Sequence, residues 1–102
     1  MKIIKINELE SILENISAKK IFSNKNIEII EISLLSGENI PKHKNAVTAL
    51  FNVIDGKGSV IIEDKKHYVE KGDFLEIEKD LDREWENIGL SPLKIVVTKL
   101  MN

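Results

Sequence analysis

The 102-residue chain has no cysteine, which removes disulfides, thiolate metal ligands and a cysteine nucleophile together and fits a reducing compartment. It also lacks an excess of positive charge. Fourteen lysines and a single arginine, Arg83, are dispersed among 17 acids for a net charge of −2, so the one-sided basic field of a nucleic-acid binder is missing. The apolar run in Met1 to Glu8 is too short for a signal peptide, and no later stretch approaches the roughly 20 apolar residues of a membrane span. A cytoplasmic protein with neither nucleic-acid nor membrane partner is expected. The sequence has no internal repeat, linker or low-complexity tract. With 42% hydrophobic and 31% charged residues it has a globular balance, and its length suits one domain around one core.

What is present reads mainly as β structure. Asn7 and Glu10 have the spacing of a capping box, and Leu9, Ile12, Leu13 and Ile16 follow at intervals of three and four, which predicts one short amphipathic helix from about Glu8 to Ser17. After it, Ile27 to Leu35 alternates and is rich in β-branched residues, then breaks at Ser36-Gly37. Val47 to Ile54 ends at Asp55-Gly56, a dipeptide that favours a tight hairpin and predicts antiparallel pairing with Ser59 to Glu63. Asp64-Lys65-Lys66 and Lys71-Gly72-Asp73 mark further turns around a strand from His67 to Glu70. Phe74 to Glu78, Arg83 to Asn87 and Leu93 to Leu100 complete the series, with Pro92 between the last two, where a missing amide does no harm. Short strands at this spacing predict an all-β antiparallel sandwich or barrel rather than βαβ units.

The turn residues form a frame: Gly37, His43, Gly56, Gly58, Gly72-Asp73 and Asn87. This frame resembles the two motifs of the cupin family. The first motif would run from Gly37 through His43 and Asn45 to Ala49 and Gly56, and the second from Gly72 through Arg83 to Asn87. The resemblance covers roughly Ile27 to Leu100 and implies a cupin-type, jelly-roll-like antiparallel β-barrel of six to eight strands with one short N-terminal helix. The whole is one structural domain, with residues 1–26 as a strand and helix extension and 27–102 as the barrel. A homodimer is implied as well, with Ile27 to Leu35 and Leu93 to Leu100 contributing to an interface or covering an edge.

In cupins, two histidines and a glutamate from the first motif and a histidine from the second converge on a divalent metal inside the barrel. Carried over residue by residue, those positions hold His43, Asn45, Ala49 and Arg83. Ala49 has no donor atom, and a guanidinium places fixed positive charge where the metal would sit. The direct expectation is loss of the metal. If a divalent transition metal is bound, His43 is its anchor, with other ligands supplied from elsewhere among Glu76, Glu78, Asp80, Glu84, Glu86 and His67. Strand parity sets Glu84 and Glu86 outward if Arg83, Trp85 and Asn87 face inward.

The expected ligand pocket comprises His43, Asn45, Phe51, Arg83 and Trp85, an apolar floor with a few polar groups. Arg83 has two readings. It could bind a carboxylate or phosphate with its planar fork, or it could form an internal salt bridge or swing out to water, and the second reading is preferred because long charged side chains usually snorkel. His43 could serve as a metal-free base, as a histidine does in the deoxysugar epimerases of the family, although no carboxylate or tyrosine partner is identifiable. Three functions follow. The first is a metal-free protein holding a small ligand, anionic if Arg83 binds it; the second is a metal-dependent oxygenase or isomerase with unusual ligands around His43; the third is a structural or interaction protein with a filled barrel.

Overall fold

Leu93–Leu100 sets the architecture, because its alternation buries Leu93, Ile95 and Val97 on one face while Lys94 remains exposed on the other. The computed structural model describes residues 1–101, and this strand, β9, lies at the centre of a five-stranded antiparallel sheet. The preceding strands in chain order are β1 Ser17–Ser23, β2 Ile27–Leu34, β3 Asn39–His43, β4 Ala49–Asp55, β5 Lys57–Ile62, β6 Lys65–Glu70, β7 Phe74–Ile77 and β8 Arg83–Glu86. The five-stranded sheet has the order β1-β2-β9-β4-β7, and a second sheet of four has the order β3-β8-β5-β6. All pairings are antiparallel. The core lies between the sheets, where Leu34, Phe51, Val53, Val60, Trp85 and Ile95 form one buried cluster with their neighbours. The all-β antiparallel barrel expected from the turn spacing is therefore present. Among the described residues no helix is long and apolar enough to cross a membrane.

Three local expectations are corrected. The helix over Glu8 to Ser17 does not form, and the helical structure among the described residues is one 3₁₀ turn, Ile6–Glu8. Ser11 supplies the reason. Its Oγ accepts from the Leu13 and Ala18 amides at 3.3 and 3.0 Å and donates toward the Leu13 and Ile16 carbonyls, so the side chain replaces helical backbone bonds. A segment this short is marginal as an isolated helix. Its apolar residues instead spread along the barrel wall.

The Asp55-Gly56 turn does not close a hairpin. It passes the chain from β4 in one sheet to β5 in the other, and neither strand pairs with the other. Gly56 has φ +80°, and a Cβ there would collide with the Pro92 carbonyl, so the turn packs against the β8–β9 connection as no other residue could. The two-residue turn lies one step further on. Glu63 and Asp64, at φ 47° and 68°, join β5 to β6 with Ile62 opposite Lys65. The third correction is the strand count: β1 and β3 are absent from the expected series, so nine strands stand among the described residues where six to eight were expected, and Pro41 lies within β3. Proline is tolerated here because β3 is an edge strand, and the ladder to β8 shifts register between Ile40 and His43.

Candidate functional site

Strand β8 carries the chemistry. Arg83 and Trp85 are completely buried, and Asn87, just past the strand, keeps only 2% of its surface, while Glu84 is half-buried and Glu86 exposed. The inward and outward parity expected of this segment holds. His43 and Ile62 flank Arg83 in the sheet, and Ile40 and Val60 flank Trp85.

The barrel is incompletely filled. A cavity of about 280 Å³ lies between the sheets, and all five expected pocket residues, His43, Asn45, Phe51, Arg83 and Trp85, line it. The structure adds Lys99 from β9 and the segment Ile12, Leu13 and Ile16, which sequence reasoning placed on a helix. The 3,4-spacing of those residues marked them as one apolar group, but the helix it predicted does not form. A more open groove of about 620 Å³ runs along the same segment between Glu14 and Pro41 and contains none of the five.

Arg83 neither swings outward nor meets an acid. Its Nε donates to the Leu81 carbonyl at 3.0 Å and its Nη2 to the Glu78 carbonyl at 2.9 Å, while Nη1 finds no hydrogen-bond partner among the described residues. The preferred reading, a salt bridge or a solvated head, is thus corrected. Glu76, Glu78 and Asp80 are exposed, and Asp82 and Glu84, which flank Arg83 in sequence, make no ion pair with it. Burial pushes the guanidinium's pKa down, but a group that begins so far above neutrality stays ionised at pH 7. Two carbonyl dipoles hold one edge of the fork and leave its far nitrogen free.

Trp85 Nε1 is a second buried donor without a partner among the described residues. Its ring packs on Phe51 with centroids 5.1 Å apart at 34°, which fixes one aromatic wall of the cavity. His43 is exposed, and its Nδ1 lies 2.9 Å from the Pro41 carbonyl, which can accept a hydrogen bond from the ring. The Asn45 carbonyl accepts from the Asp80 amide at 2.8 Å, tying the loop before β4 to the loop before β8. Lys99 is paired with Glu28 at 3.7 Å, and Glu28 also meets Lys20 at 3.5 Å.

Ala49, at the position the resemblance gives to a carboxylate, is fully buried and offers no donor. Among the described residues no group of three or more His, Cys, Asp or Glu side chains is placed to hold a metal ion. Asn87, at the last position of the frame, has a structural part. Its Nδ2 donates to the Leu34 and Ser91 carbonyls at 2.9 and 2.8 Å, and its Oδ1 accepts from the Gly89 amide at 2.8 Å, so it secures the β8–β9 connection to the end of β2.

Two antiparallel sheets enclosing a cavity, with the glycine frame at the turns, define a double-stranded β-helix barrel. The profile of the cupin domain matches residues 30–99, and the chain belongs to the cupin family. Solved structures agree. An RmlC-like cupin family protein with a double-stranded β-helix fold from Methanocaldococcus jannaschii superimposes with a TM-score of 0.84 at 21% identity, over 98% of this chain and 90% of that one. A predicted oxalate decarboxylase from Thermotoga maritima gives 0.86 at 16% identity, over 99% and 100%. KdgF from a Halomonas species gives 0.83 at 13%, over 100% and 96%. At these identities the likeness is one of fold. No curated protein matches the chain by sequence.

Proposed function

We propose that this chain is a metal-free cupin that binds a small anionic ligand, a carboxylate or a phosphate, in the barrel cavity with Arg83 as its counter-charge. The observation that carries this reading is Arg83 Nη1, wholly buried in a cavity-lining residue and unpartnered among the described residues. A buried unsatisfied donor costs about 1 to 3 kcal/mol, and more when it is charged. An acceptor brought by a ligand offsets that cost. Trp85 Nε1 in the same wall has the same need, and both groups are donors, which favours an acceptor-rich occupant. Arg83 has no exposed surface, so a ligand must displace a neighbouring side chain to reach Nη1.

Metal chemistry is the weaker reading because the donor set does not suit it. His43 and Asn45 leave one imidazole and one amide oxygen beside a fixed cation, where catalytic sites use about three protein ligands. A filled structural barrel is disfavoured by the cavity of about 280 Å³. We also infer a homodimer through the outer face of the five-stranded sheet, where Phe22, Leu50, Phe74 and Leu100 are exposed. Sedimentation would measure its stoichiometry, and a monomer at high concentration would reject it.

Thermal-shift and calorimetric titration against small carboxylates and phosphates test the main reading. A ligand at 100 times its dissociation constant should add about 2.7 kcal/mol of stability, and Arg83→Met should abolish the gain. Elemental analysis of untagged protein beside His43→Ala tests the rival: about one tightly held transition metal per chain, lost in the variant, would overturn the metal-free reading.

A further inference from the structure

We infer that the ligand is an apolar monocarboxylate, a single carboxylate on a small hydrocarbon body, rather than a phosphate, a dicarboxylate or a polyhydroxy acid. The inference rests on the anion-binding reading above and narrows it through the charge and polarity of the wall.

Charge comes first. Two cations line the cavity; Lys99 shares Glu28 with Lys20 and is partly solvated, whereas Arg83 is buried and has no acid partner among the described residues. Arg83 is the one buried cation of the wall and compensates one buried negative charge. A phosphate monoester carries about 1.5 to 2 negative charges at neutral pH, and a dicarboxylate carries two; the surplus would have only Lys99, partly solvated and already held by Glu28, to meet it.

Polarity decides the body of the ligand. No aspartate or glutamate lines the cavity, and most of its wall is aliphatic or aromatic, with Ile30, Ile40, Phe51 and Val97 alongside Trp85 and the Ile12–Ile16 segment. A polyhydroxy body would bring several hydroxyl donors against this wall with few side-chain acceptors to meet them, chiefly Asn45 Oδ1. A hydrocarbon body loses nothing there and gains by leaving water. Size agrees, since about 280 Å³ lies just below the range of pockets that enclose drug-sized ligands.

Titration of wild-type protein, followed by the fluorescence of its sole tryptophan in the cavity wall and by calorimetry, tests this with five probes. These are isocaproate, its neutral amide, gluconate, succinate and inorganic phosphate. Isocaproate should bind at least about tenfold more tightly than each of the others, the ratio expected when a few buried methylenes and one charge pair separate the ligands. Gluconate, succinate or phosphate binding as tightly as isocaproate, with the amide weak, would overturn this inference and leave the anion reading standing. The amide binding as tightly as isocaproate would overturn the anion reading itself. Failure of all five to bind at millimolar concentration would overturn both.

Discussion

Arg83 and Asn87 lie four residues apart on one inward face, both almost without solvent contact, yet one is saturated with partners and the other is not. Asn87 spends its amide on two carbonyls and one N–H, all within the chain. Arg83 binds two carbonyls and keeps Nη1 free. A buried polar group that completes its own network secures the fold, whereas one left incomplete adds a cost the fold alone does not explain. The contrast separates the end of the barrel that holds the architecture together from the end that holds the cavity.

The largest effect expected from this contrast is on Asn87. Asn87→Ala strands two carbonyls and an amide, and chemical denaturation should show a loss of about 2 to 4 kcal/mol. Arg83→Met should do the reverse in kind. Its stability should change by no more than about 1 kcal/mol, since an unpaired buried charge leaves together with two hydrogen bonds, while anion binding falls beyond detection. A loss as large as that of Asn87→Ala would show that Arg83 belongs to the architecture. Lys99→Met should cost about 0.5 kcal/mol or less in urea titration, because Glu28 retains Lys20 and the pairs are partly solvated.

The smallest effect lies outside the barrel. The hydrogen bond from Lys42 to Asp64 and its charge raise the Lys42 pKa, so any stabilisation from the pair is complete below the ordinary lysine pKa and is lost as pH rises through the folded value. Both groups are well exposed. Lys42→Ala should leave the denaturation midpoint at neutral pH unchanged within error, and differ from wild type only in a slightly flatter decline above pH of about 10.

The inward set of β8 was legible because strand parity is strict: once Arg83 faces in, Trp85 and Asn87 follow and Glu84 and Glu86 do not. His43, Asn45 and Arg83 could be named because the frame resembles the cupin motifs, and Phe51 and Trp85 followed from strand parity. The partners of Arg83 were not legible, since they are backbone carbonyls and carbonyls leave no mark in residue identity. Asp55-Gly56 signalled a turn correctly, but the turn changes sheets instead of closing a hairpin and packs against Pro92, 36 positions from Gly56, a long-range contact that the dipeptide does not encode. Residues 9–16 have helical spacing, and only the Ser11 side chain, bonded to four backbone groups, shows why that spacing is realised as an irregular wall.

That wall has a consequence for how such barrels diversify. Ile12, Leu13, Ile16 and Ala18 border the cavity but precede residues 30–99, the stretch shared with the family profile. Part of the chamber's wall is thus encoded outside the stretch that carries the matched strand registers. Drift in the leading stretch can remodel what the chamber admits while leaving the glycine turns intact. Two barrels with the same frame are then free to hold different guests, and likeness in the frame is silent about which.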